Sequence, residues 1–161
     1  MSSVLAGLKV LGAAEESIAR AMGYAMGVEV RDEAQLRAPV GTPEGGSITP
    51  GLLKSAIYVA YDDQRRLLNP YAYRYTVSWN SKKAPHGHLL EFGHWMPYEY
   101  VKTEDGEYWT LKPLRPNPGG GADGFWVEQR AFLGPAFDAK LPRLASIAFS
   151  AGADKLKEVM R

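Results

Sequence analysis

The chain has 161 residues, about one domain's worth and long enough to bury a real core. Its 45% hydrophobic and 23% charged residues exclude a disordered or fibrous protein. With 19 basic against 18 acidic residues, nothing marks the whole chain as a nucleic-acid or membrane-surface binder, and the lack of cysteine excludes disulfides, thiolate metal sites and a cysteine nucleophile.

Residues 4–37 contain no proline and predict one long helix, within an N-terminal helical region of 1–38. Leu11, Ala14, Ile18, Ala21, Ala25 and Val28 recur at helical spacing along one face, and Met22, Met26, Val30 and Ala34 form a second apolar row. Glu15, Glu16, Arg20, Glu29 and Arg31 are left to face water. Such a helix spans about 50 Å, more than the diameter of so small a domain. It is expected to bend, to break near Gly23 or Gly27, or to carry its excess onto another subunit. Pro39 ends it. The first 14 residues lack a basic leader, and Lys9 with Glu15 and Glu16 argues against a signal peptide. No stretch reaches the roughly 18 apolar residues of a membrane span. An unprocessed, soluble chain with no membrane partner is the expectation.

Residues 39–51 are turn formers. Sheet signals then occupy 52–134. Ile57, Val59 and Tyr61 alternate in 56–61, and Tyr71, Tyr73, Tyr75, Val77 and Trp79 fall on one face of 71–79. That strict period of two in β-favouring residues predicts a half-buried strand with Tyr75 and Trp79 toward the helices. Tyr98, Tyr100 and Lys102 face Tyr108, Thr110 and Lys112 across Asp105-Gly106, a hairpin signal, with Val101, Trp109 and Leu111 on the other side. Residues 113–124 are proline- and glycine-rich and read as an exposed loop. Helical spacing returns over 135–161, with Pro142 suited to a first turn and Gly152 a candidate break. Helices grouped around a meandering sheet predict a single α+β domain over 1–161.

The chemistry-bearing residues are sparse. His86, His88, Glu91 and His94 could ligate zinc or iron, but their spacing matches no standard metal signature, and loop histidines are the more ordinary reading. There is no G-x-S-x-G elbow, and Gly119-Gly120-Gly121 lacks the Lys-Ser/Thr of a phosphate loop. No catalytic, metal or cofactor-binding residue is expected. Charge is segregated instead. Residues 54–83 hold six basic and two acidic side chains, whereas 84–112 hold two basic and five acidic, a pattern that identical subunits arranged head to tail can exploit. Trp95, Tyr98, Tyr100, Tyr108, Trp109 and Trp126 make 95–126 a candidate interaction arm, since aromatic rings are good interface anchors.

Three blocks in order resemble a known family. The first is Ala38-Pro39-Val40-Gly41-Thr42, resumed after an insertion of 43–50 as Gly51-Leu52-Leu53-Lys54-Ser55-Ala56-Ile57. The second is Ala84-Pro85-His86-Gly87-His88-Leu89-Leu90-Glu91-Phe92-Gly93, and the third is Ala131-Phe132-Leu133-Gly134-Pro135-Ala136-Phe137 before a terminal helix. Together they cover most of 30–160 and resemble the tailed-bacteriophage neck or tail-completion proteins of the HK-ninety-seven gene-product-ten type. His94 stands where that family usually has Thr, and Ala131 and Gly134 where it has Pro and Arg.

The resemblance implies a non-enzymatic structural virion protein of the neck, assembled in the host bacterial cytoplasm. It implies a ring, hexameric by preference or dodecameric, around the channel through which packaged DNA passes. Its neighbours would be head-closure or adaptor proteins on one side and tail-terminator or tail-tube proteins on the other. The alternatives are a DNA-binding or assembly-accessory module using the basic strands of 54–83, and a small metal-dependent hydrolase using the histidine cluster.

Overall fold

The computed structural model describes residues 2–41, 49–63, 73–96, 99–102, 108–111 and 125–161. In chain order the elements are α1 (Ser2–Arg37), α2 (Leu52–Ala56), β1 (Ile57–Tyr61), β2 (Tyr75–Trp79), α3 (Gly87–Phe92), β3 (His94–Met96), β4 (Glu99–Lys102), β5 (Tyr108–Leu111), β6 (Phe125–Val127) and α4 (Leu133–Val159). The fold is α+β: the two long terminal helices pack with a small antiparallel sheet of β1 and β2. Contacts divide the chain into two compact units, a helical unit (Met1–Ala84 with Phe132–Arg161) and a hairpin unit (Pro85–Ala131).

In the helical unit, α1 and α4 run antiparallel, which follows from two fixed points. Gly152 lies against Met22 and Ile18, and Lys140 reaches Glu29 (3.2 Å) and Glu33 (3.7 Å). The core is built largely of alanines, Ala34, Ala38, Ala56, Ala84, Ala136 and Ala148, around the larger Val30, Leu53, Ile57 and Phe132. Phe132 is fully enclosed and meets the Trp79 ring edge-on at 5.8 Å. Short side chains let the elements approach closely, so the few large ones carry most of the apolar burial.

Three sequence expectations for the helices need correction. α1 does not break at Gly23 or Gly27. Those positions are where the sheet lies on the helix, and an added Cβ would stand 2.7 Å from the Tyr75 ring or 2.8 Å from Val59 Cγ1. Gly152 does not divide α4 either; a Cβ there would meet Met22 at 2.9 Å. Pro142 is not in a first turn. α4 begins at Leu133, so Pro142 sits inside it, exposed, where the carbonyl that would have accepted its N–H can turn to water.

β1 and β2 pair from Ile57↔Trp79 to Tyr61↔Tyr75. The period-two face is real: Tyr75 lies over Gly23 and meets Tyr24 and Tyr61 at ring-centroid distances of 6.1 and 5.2 Å. The strand is shorter than the predicted 71–79, since Tyr73 and Arg74 precede the ladder and 71–72 lie outside the described residues. At the solvent edge, the Arg20 guanidinium sits 4.6 Å above the Tyr61 ring, and a hydrogen bond with Tyr75 raises its pKa above the ordinary value.

The hairpin unit holds α3 and two antiparallel ladders. β3 pairs with β6 (His94↔Val127, Trp95↔Trp126, Met96↔Phe125), and β4 pairs with β5 (Glu99↔Leu111 to Lys102↔Tyr108). Gly93 ends α3 at φ 71°, and a Cβ would stand 2.8 Å from the Val127 carbonyl oxygen, so glycine is required both by conformation and by space.

Candidate functional site

The residues of the three sequence blocks are placed where the fold turns corners. Ala38 is buried at the end of α1, with its backbone N–H donating to the Ala34 carbonyl at 2.8 Å. Pro39 and Gly41 lead out of the helix, and Thr42 lies outside the described residues. Gly51 takes φ 75° ahead of α2, whose buried Leu53 and Ala56 lead directly into buried Ile57. Leu52 is half-buried, and its carbonyl accepts the Ser55 hydroxyl at 2.9 Å. Glu91 is the buried charged side chain among the described residues, while neighbouring Phe92 is exposed. Phe132 and Ala136 are fully buried, with Leu133 and Pro135 half-buried between them. These residues build corners and core.

The histidines are dispersed in role. His86 holds the N-cap position of α3 through its carbonyl, which accepts from the Leu89 and Leu90 N–H groups, with no capping hydrogen bond from its ring. The His88 ring donates Nδ1–H to the Pro85 carbonyl at 2.7 Å, which commits that nitrogen. His94 is half-buried on β3. Among the described residues no group of three or more His, Asp or Glu side chains is arranged to hold a metal ion.

Five of the six aromatic residues of the arm lie in the ladders. Trp95 and Trp126, the first and last residues of 95–126, are direct cross-strand partners, and Trp126 is exposed. Tyr100 pairs with Thr110, Val101 with Trp109, and Lys102 with Tyr108. That register keeps same-face residues opposite one another, as the alternation predicts. Tyr98, the Asp105-Gly106 turn and the 113–124 loop lie outside the described residues. At the base of the arm, His94 Nδ1 and Trp95 Nε1 are buried with no hydrogen-bond partner among the described residues. An orphaned buried donor costs about 1–3 kcal/mol.

Two surface features were not anticipated from the sequence. A groove of about 670 Å³ opens in the helical unit, floored by Gly23 and Gly27 and walled by Met26, Val77, Phe137 and Leu144, with Arg74 on its lining. A track of exposed apolar side chains also runs along α4. The signal for the groove was the pair of helical glycines, which only a tertiary contact explains. No helix among the described residues is long and apolar enough to cross a membrane.

Comparison with family models, with curated proteins and with solved structures returns no match for this chain.

Proposed function

We propose that the chain is a non-enzymatic structural protein of a tailed-phage neck, forming a ring around the DNA channel and joining head to tail through its 95–126 arm. The observation that carries this reading is where the three blocks fall. They supply the buried corners and the two positive-φ glycines, Gly51 and Gly93, so the resemblance lies in fold-determining residues rather than in a scattered surface pattern. At the two ends of 95–126, Trp95 and Trp126 are cross-strand partners, and the exposed Trp126 offers a ring to a neighbour. An isolated two-stranded hairpin is marginal in water, so a neighbouring surface is the natural source of its stability.

The segregated charge of 54–83 and 84–112 supports self-association in a cyclic ring, and the hexameric preference is what the resemblance implies. Within the basic segment, Lys54, Arg74, Lys82 and Lys83 are exposed, with Arg74 lying 3.9 Å from Asp62 and Lys83 donating to the Ser55 carbonyl at 3.2 Å. The head-side neighbours are head-closure or adaptor proteins and the tail-side neighbours tail-terminator or tail-tube proteins. The DNA passes through the ring without being read.

Gold-labelled antibody against the chain, applied to purified particles, tests the placement. Label at the head–tail junction is the expected result. Particles without label, or label confined to the distal tail, would contradict it. Duplex binding by the purified chain with a steep dependence on salt would instead support the DNA-binding module.

A further inference from the structure

β2 pairs with β1 along one side, and the phase of that ladder fixes what its other side offers. The Asp62 N–H donates to the Arg74 carbonyl at 2.9 Å and the Asn80 N–H to the Ala56 carbonyl at 3.0 Å, in one register with Tyr61↔Tyr75 and Val59↔Val77. Hydrogen-bonded and non-hydrogen-bonded pairs alternate along an antiparallel ladder. Thr76 and Ser78 therefore bond to β1, whereas Tyr75 and Val77 turn their N–H and C=O groups away from it. Among the described residues β2 has no second neighbour, so those outward groups have no ladder partner.

This open edge coincides with the groove of the helical unit. Tyr75 and Val77 line the groove and no described residue of β1 does, so it lies on the outer side of β2. Gly23 and Gly27 of α1 form its floor, and Phe137 and Leu144 of α4 its far wall. An unpaired strand edge beside an apolar trough suits an extended chain, which takes main-chain hydrogen bonds from the edge and lays alternate side chains in the trough.

We propose that the groove receives a single extended segment of another protein as a third strand on β2, apolar at alternate positions and carrying a carboxylate at one end. The volume of about 670 Å³ accommodates the apolar side chains of a short segment. The β1–β2 sheet of a second copy does not suit it, because α4 walls the side on which the outer strand of that sheet would lie. Arg74 selects the carboxylate. It is the charged residue among the described lining, and its Nε stands 3.9 Å from Asp62, beyond hydrogen-bond reach. With its side chain about half exposed, the guanidinium keeps donors for a second acid. Pairing at this edge is independent of the neck proposal, whose test is made on particles.

Residue-resolved hydrogen exchange of the full-length chain reads the edge directly. The Tyr75 and Val77 amides should exchange about tenfold faster, or more, than those of Thr76 and Ser78. Equal protection of all four in the free chain would show the edge already covered, by the chain itself or by a second copy, and would overturn the proposal. The probe acetyl-Glu-Val-Thr-Val-Thr-Val-Glu-amide should bind with a Kd of roughly 0.1 mM and slow exchange at Tyr75 and Val77 selectively. The same peptide N-methylated at every residue keeps the side chains, loses the ladder donors and should not bind. Arg74→Gln should weaken the acidic peptide about fivefold while leaving a version with Gln at both ends unaffected. Leu144→Glu should abolish binding, with the unfolding midpoint as its control; should that variant fail to fold, the wild-type exchange and N-methylation results decide. No binding up to about 1 mM, binding that leaves Tyr75 and Val77 exchange unchanged, or equal binding of the N-methylated peptide would each contradict the third strand.

Discussion

Gly23 and Gly27 occupy a helix interior, where glycine costs about 1 kcal/mol relative to alanine. They persist because Tyr75 and Val59 rest directly on the helix backbone there. Alanine at either position gains propensity but drives a Cβ to under 3 Å from a ring or a short branched side chain, neither of which can swing away. Overpacking of that kind typically costs about 1–3 kcal/mol. Gly23→Ala and Gly27→Ala are therefore expected to lower the chemical denaturation midpoint, whereas Gly12→Ala, with nothing within 4 Å, should hold or raise it by up to about 1 kcal/mol. Equal effects at all three positions would contradict the close contact between sheet and helix. Phe132 is the other decisive residue. Fully buried and stacked edge-on against Trp79, it should cost about 3–5 kcal/mol on truncation to alanine, read from the same denaturation curves.

At the scale of elements, the alternation of 71–79 was legible because a half-buried strand imposes a period of two, and Tyr75 and Trp79 do face the helical layer. The glycines of the blocks were legible for a similar reason, since Gly51 and Gly93 hold conformations that other residues resist. What escaped was tertiary. β6 is three residues long, too short to show a period, and its pairing with β3 across the arm leaves no local trace. Helical glycines look like breaks until the strand that needs them is placed. Glu29, read as facing water, reaches Lys140 on α4, and Pro142 is tolerated because its side of the helix is exposed. That ion pair is partly solvated, so Lys140→Met should change stability by no more than about 1 kcal/mol. The arm makes a sharper element-scale prediction. Replacing 99–123 with a short Gly/Ser bridge leaves β3 and β6 in the chain, so cooperative unfolding should persist with a similar midpoint. Loss of cooperativity would show that the ladder of β4 and β5 is part of the folding core rather than an arm.

For the whole molecule, the neck proposal assigns contact with neighbouring proteins to the hairpin unit, in which Trp126 is exposed. A cationic stretch followed by an anionic one, in a chain of nearly zero net charge, suits contacts between copies better than attraction to bulk DNA. The aromatic clustering of 95–126 is legible in composition, and its role as a contact surface stays with the neck proposal. Its anchoring pair, Trp95 with Trp126, emerged only from the fold. The most direct test of the central claim is electron microscopy of lysates from a phage whose copy of this gene carries an early nonsense codon, grown with and without suppression. The account predicts DNA-filled heads and complete tails that remain unjoined without suppression, and joined, infective particles with it. Infective, fully joined particles in the absence of the protein would contradict it.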